Sequence, residues 1–203
     1  MTHVGKEHYN FDRYCHFDRW ASYYYQLREV LSLTPTSVLE IGIGDRVFGN
    51  YITQNTGIAY KTLDIAQDLK PDFVGSITAM PFKDGAYDVV CAFEVLEHLP
   101  FDQFEKGLSE IKRVAHRYAI ISLPHFGPPV KASFKMPFIK EMKGAWKIPY
   151  PQKHIFNGQH YWEIGKRGYA PKKIREIIKK HFTLVKEFVP FENQYHHFYI
   201  LKK

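Results

Sequence analysis

A chain of 203 residues with 45% hydrophobic and 24% charged side chains can bury one good core, which argues against both a disordered protein and two compact domains. Two cysteines, Cys15 and Cys91, are too few for a disulfide framework, and no apolar run approaches the roughly 18 to 20 residues of a membrane span, so a reducing cytoplasmic setting is expected. The formal charge of +7 favours acidic partners, and an aromatic content of 16% asks for a hydrophobic cleft or lid as well as a core.

The polar start at residues 1–8 has no signal-peptide core. Residues 17–33 then carry Trp20, Tyr24, Leu27, Val30 and Leu31 at near-helical spacing, with Asp18 placed to cap the start. This predicts a helix laid across the domain ahead of the first strand. Strand-like segments follow at 37–41, 60–65, 72–75, 87–93 and 118–123, some of them separated by helical segments. Such alternation predicts an α/β protein, with a parallel sheet covered by helices on both faces. The clearest helix spans 100–115, with Phe101, Phe104, Leu108, Ile111 and Val114 on one side. Residues 126–153 break the pattern, with five prolines and six lysines against one glutamate, and Phe134, Phe138, Trp146 and Tyr150 interleaved. A helix over 171–181 and strands over 183–189 and 195–201 close the chain, the last two near enough for an antiparallel hairpin.

The stretch Val38, Leu39, Glu40, Ile41, Gly42, Ile43, Gly44 reads as a strand running into a ligand-binding turn, because the glycines let backbone approach a ligand where a Cβ would stand. Glu40 is the discriminating residue. A dinucleotide site must hold a pyrophosphate there and would not set a carboxylate in its approach, whereas a cationic ligand suits one. Asp64 ends the second strand-like segment, where a carboxylate can accept both hydroxyls of a ribose. With Met80 to Val90 and then Phe93, Glu94, Val95, Leu96, Glu97 and His98, the stretch from about 37 to 123 resembles the class I S-adenosylmethionine-dependent methyltransferases. The resemblance is to their small-molecule group, typified by ubiquinone-type and sugar methyltransferases.

That resemblance implies a Rossmann-like, doubly wound sheet of seven strands in the order 3-2-1-4-5-7-6, with strand 7 antiparallel. It implies a single methyltransferase domain over 1–203, with an N-terminal cap region at 1–34 and a substrate-lid insertion at 126–160. The cofactor is S-adenosyl-L-methionine and its product S-adenosyl-L-homocysteine. Glu40, Gly42 and Gly44 would line the methionine part, Asp64 the ribose and Ile65 the adenine face. Ser76 and Ile77 occupy the loop after strand 3, where the family often has an acid for the adenine amino group; the contact would fall to backbone or to the Ser76 hydroxyl. Phe93 and Glu94 would flank the methionine end. Arg46 stands where the family usually has a third glycine, and it either reaches the methionine carboxylate or crowds the site.

Methyl transfer is an in-line displacement that needs a base only where the acceptor must lose a proton, and histidine suits that task near neutral pH. His125, His154 and His160 are the candidates. The pair Glu97 and His98 either contributes or only braces its helix, and His196 and His197 read as packing or edge residues. No metal is expected, since His154, His160 and Glu163 lack compact ligand spacing and no cysteine cluster exists. The lysines of the lid suit phosphate, and its aromatics suit a sugar, an aromatic ring or a lipid tail. The expected acceptor is therefore a small acidic or amphiphilic molecule, phosphorylated, sugar-like or lipid-linked, methylated on oxygen in preference to nitrogen or carbon. Nucleic acid is disfavoured by the lack of an Asn-Pro-Pro-Tyr-type motif, and a transient anionic membrane surface stays open. The alternative of another class is a non-catalytic binding protein that keeps the fold.

Overall fold

A computed structural model describes residues 6–203. After a short helix α1 (Phe11–Tyr14), helix α2 (Phe17–Ser32) leads into strand β1 (Ser37–Ile41). Asp18 lies in the first turn of α2, where its charge complements the helix dipole, while His16 occupies the cap position without a side-chain hydrogen bond. The chain continues through α3 (Val47–Asn55), β2 (Ala59–Asp64), β3 (Phe73–Val74), β4 (Tyr87–Phe93), α4 (Phe101–Val114) and β5 (Ala115–Pro124). After an excursion it returns in α5 (Pro171–His181), β8 (Thr183–Phe188) and β9 (His196–Lys202).

Seven strands form one sheet in the order β3-β2-β1-β4-β5-β9-β8. All neighbours from β3 to β5 pair parallel, and β9 runs antiparallel to both β5 and β8. Counting only this sheet, the order is the 3-2-1-4-5-7-6 expected from the sequence. Burial on both faces explains the near-continuous apolar runs of the central strands. On one face Leu39, Ile41, Val90, Ala92 and Ile121 pack under α4 and α5. On the other, Val38, Val89, Cys91 and Ile120 pack under Val30 of α2 and Phe48 and Ile52 of α3. The strand carrying His196 and His197 lies inside the sheet, not at its edge, and both side chains are buried.

The excursion after β5 contains an antiparallel ribbon, β6 (Pro129–Phe134) and β7 (Met142–Lys147), in register from Pro129↔Lys147 to Phe134↔Met142. Its residues are mostly exposed on both faces, so no alternation of apolar and polar residues marks it. No helix among the described residues is long and apolar enough to cross a membrane.

Candidate functional site

β1, β2, β4 and β5 end along one side of the sheet, where a doubly wound fold forms its ligand crevice. The turn after β1 is tied to β2 by Gly42 N–H donating to the Leu63 carbonyl at 2.9 Å. Gly42 has φ +77°, and a Cβ there would stand 2.4 Å from a methyl of Val95, so this position admits glycine alone. Gly44 has φ +47° and lies beneath the rings of Tyr9 and Tyr14. Asp64 fastens the loop from the other strand: its carboxylate accepts the N–H of Ile43 at 2.9 Å and of Ala66 at 2.8 Å. Each oxygen keeps a lone pair for a further donor.

Glu40 faces the α3 side of the sheet, fully buried, and accepts the Tyr60 hydroxyl. Burial pushes its carboxyl up to about 8. Arg46 caps α3 in the left-handed region at φ 65°, which explains why a glycine is at home in this position. Its guanidinium is committed to the carbonyls of Leu69 and Lys70, the latter at 2.6 Å. With Tyr9, Gly44, Asp45 and Asp68 these residues bound a cleft of about 530 Å³. Ile65 is half-buried beside Asp64, whereas the side chains of Ile77 and Phe93 belong to the two cores. Only the Ile77 backbone is therefore left for an adenine. The Ser76 hydroxyl is within 2.9 Å of that of Thr78.

Asp45, Tyr23 and Arg19 were not singled out from the sequence. Asp45 accepts the Tyr23 hydroxyl, the Cys15 thiol at 3.6 Å and the Val47 N–H at 3.2 Å, and so ties the N-terminal segment to the glycine turn. Tyr9 and Tyr14 meet edge-to-face at 4.8 Å, and Arg19 lies 4.1 Å above the Tyr14 ring. Burial pushes the Tyr9 hydroxyl up to about 12. The Arg19 Nε is buried with no hydrogen-bond partner among the described residues. An acid directly after Gly44 is the signal that could have drawn attention to this corner.

The fit of S-adenosylmethionine follows from these atoms. A sulfonium cation suits the carboxylates of Asp45 and Glu94, a ribose suits Asp64, and the Arg19 Nε–H, which has no hydrogen-bond partner among the described residues, suits a carboxylate. The Gly42 and Gly44 turn leaves backbone open to a ligand.

Beyond β4 lies a second group. Glu94 sits at φ 54°, a strained conformation for a non-glycine residue. Burial raises its pKa, against the pull of Arg19 and His160. Glu97 and His98 belong to a short 3-10 turn, Leu96–His98, on which residues 159–163 dock. Tyr161 N–H donates to the Glu97 carbonyl at 2.9 Å, His98 Nδ1 lies 3.1 Å from the Gln159 carbonyl, and Trp162 Nε1 donates to the Leu99 carbonyl at 3.2 Å. Trp162 is fully buried against Phe101 and Phe104 and anchors the segment. His160 Nδ1 lies 3.0 Å from Glu163, which also accepts the Tyr195 hydroxyl at 2.8 Å. Although burial opposes it, those two partners hold Glu163 below the usual carboxylate range. Burial and the neighbouring His160 push His98 down to about 4, leaving a neutral imidazole.

The three candidate histidines thus separate. His160 stands in this acidic cluster, and His154 only braces it, with Nε2 2.8 Å from the His160 carbonyl. His125 stacks on His197, their Nδ1 atoms 3.1 Å apart, and His197 Nε2 donates to Glu187 at 2.9 Å. Burial, then the charge of Lys147, pushes His125 down to about 3, which makes it a poor proton acceptor near neutral pH. It lines a cavity of about 590 Å³ with Lys131, Lys147, Tyr150 and Tyr195, roofed by the β6–β7 ribbon.

The sheet order, the glycine turn and the acid closing β2 are those of the class I methyltransferase fold. Residues 39–122 match the family model described as a methyltransferase domain. Among solved structures, the chain is similar to the 1,6-didemethyltoxoflavin N1-methyltransferase of Burkholderia thailandensis with bound S-adenosylhomocysteine, at 16% identity and TM-score 0.60 over 92% of this chain and 77% of that one. It is similar to the magnesium protoporphyrin IX methyltransferase of Synechocystis PCC 6803 with the same product bound, at 14% identity and TM-score 0.61 over 92% and 84%. It is also similar to the small RNA methyltransferase HEN1, at 13% identity and TM-score 0.63 over 91% of this chain and 25% of that one. At such identities the likeness is one of fold. No curated protein matches the chain in sequence.

Proposed function

We propose that this protein moves a methyl group from S-adenosylmethionine to a hydroxyl of a small acidic or amphiphilic acceptor held beneath the β6–β7 ribbon. The observation that carries this reading is the adjacency of two unlike environments. Tyr195 both lines the cavity containing Lys131 and Lys147 and donates to Glu163 of the buried acidic cluster. Cations at one end suit a phosphate or carboxylate, and the Glu163 and His160 pair at the other suits a hydroxyl that must give up its proton.

When bound, the cofactor supplies an electrophilic methyl on a sulfonium. The chain's own residues do the rest: Asp64 orients the ribose, Arg19 holds the carboxylate, and the Tyr9 and Tyr14 cap excludes water from the turn. The cap over 1–34 and the lid over 126–160 act on one domain, closing over cofactor and acceptor. Residues 1–5 of that cap lie outside the described residues. Exposed Phe134, Phe138, Met142 and Trp146 on and beside the ribbon support an acceptor with an apolar or lipid-linked part.

Calorimetric titration with S-adenosylmethionine and S-adenosylhomocysteine tests the cofactor half, with tight binding expected for the natural chain and its loss in Asp64→Ala. Formation of S-adenosylhomocysteine from S-adenosylmethionine in the presence of phosphorylated and lipid-linked hydroxyl compounds tests the acceptor half. Turnover that Lys147→Ala leaves at full affinity for every acidic acceptor overturns it. Cofactor binding without turnover on any acceptor favours the non-catalytic alternative.

A further inference from the structure

Glu97 is fully buried, and neither of its carboxylate oxygens has a hydrogen-bond partner among the described residues. Two imidazole nitrogens confront it: His98 Nε2 at 3.9 Å and His160 Nε2 at 4.0 Å from Glu97 Oε1, all three groups having ligand atoms within 4.8 Å of one another. The other nitrogen of each ring is already engaged, His98 Nδ1 with the Gln159 carbonyl and His160 Nδ1 with Glu163. A carbonyl and a carboxylate are acceptors only, so each ring donates from Nδ1 and turns its Nε2 toward Glu97. Three potential ligand atoms thus converge on one point. An unpartnered buried carboxylate is costly, and a cation at that point removes the cost.

We infer that Glu97, His98 and His160 form a binding site for a divalent transition-metal ion of the zinc type. Two imidazoles and one carboxylate are the donor set of such ions, whereas calcium and magnesium prefer oxygen alone. Ligands about 2.1 Å from a tetrahedral ion stand roughly 3.4 Å apart, so the two separations from Glu97, 3.9 and 4.0 Å, need a contraction of about half an ångström, and the pair of imidazole nitrogens, within 4.8 Å, closes by up to about 1.4 Å. The Nδ1 contacts to a carbonyl and to a carboxylate are the supports that orient metal-binding histidines. The histidine side chains are 18% and 15% exposed, which leaves a path of entry. Three protein ligands leave a position for water or for an oxygen of the acceptor. The site itself stands on geometry; its use by an acceptor oxygen rests on the function proposed above.

The test is metal analysis of the full chain purified without a polyhistidine tag, then calorimetric titration of chelator-stripped protein with zinc chloride and manganese chloride. Expected are one ion per chain, a rise in melting temperature on reloading, and a loss of affinity of roughly 10- to 100-fold in Glu163→Gln, with larger losses in Glu97→Gln and His160→Ala. His154→Ala, which loses a contact with the His160 carbonyl and a ring contact with Tyr169 but supplies no ligand atom, should retain metal affinity. Titration of each variant with S-adenosylhomocysteine reports its folding and tests the methyltransferase reading separately. Zinc binding without cofactor binding leaves the metal site standing and removes the methyl-transfer reading. Stripped natural protein that takes up neither ion, or a Glu97→Gln, His160→Ala double variant that still binds one ion, overturns the site.

Discussion

On the proposed cofactor side of the crevice, Gly42, Gly44, Asp45 and Asp64 come from one β-α-β unit and are held by backbone conformation and by N–H groups donating to carboxylates. On the proposed acceptor side, Glu97, His160 and Tyr195 come from three distant parts of the chain and are held by the packing of Trp162 and by a single layer of side-chain contacts. The first side depends on φ angles and the second on a core. Substitutions should therefore damage the two sides independently.

The largest effect is expected from Trp162→Ala, which removes a fully buried indole and should cost about 3 to 5 kcal/mol in chemical denaturation, while S-adenosylhomocysteine affinity of the folded protein stays nearly unchanged. Equal loss of cofactor affinity would show that the two sides are one cooperative unit. Gly42→Ala adds a methyl against Val95 at a positive φ and should cost about 2 to 3 kcal/mol, this time with a sharp loss of cofactor affinity. Glu40 sharpens the comparison through pH. Because its folded pKa is raised, from an ordinary 4.5 to about 8, its contribution to stability is complete below the ordinary value and is lost as pH rises through 8. Glu40→Gln should flatten that slope, by on the order of 2 kcal/mol, in melting curves across the window. Arg46 gives the smallest effect: Arg46→Gly should melt above Arg46→Ala by about 1 kcal/mol, since both lose the contacts to Leu69 and Lys70 and only glycine accepts φ 65° without strain. Cofactor binding tighter in Arg46→Gly than in the natural chain would mean that the arginine obstructs the site.

The same contrast governs what was legible in the sequence. Apolar runs such as Val38 to Ile41 and Tyr87 to Phe93 announce central parallel strands because both faces are buried, and the order of the sheet followed from the family likeness they carry. The β6–β7 ribbon was hidden, since its exposed faces impose no pattern and its lysines and prolines read as loop. Gly42, Gly44 and Asp64 were readable because their spacing is local. Arg46 was readable as a departure, but the direction of its guanidinium depends on a loop that only folding brings alongside. Glu97 and His98 were visible as a dipeptide, yet nothing near them points to His160, and His125 stood out for its place after β5 although His197 holds it. Arg19 and Asp45 became significant only once α2 lay across the glycine turn.

The two outermost strands of the main sheet bear on how the protein behaves at high concentration. β3 is two residues long, and β8 breaks register between Leu184 and Lys186 and presents Lys186 and Glu187. A growing aggregate needs a long, regular row of unpaired N–H and carbonyl groups to template the next chain, and neither border supplies one. The ribbon begins at Pro129 and carries Lys131, Lys143 and Lys147, which discourage the same stacking. An exposed aromatic face can thus be displayed toward a ligand without seeding fibres.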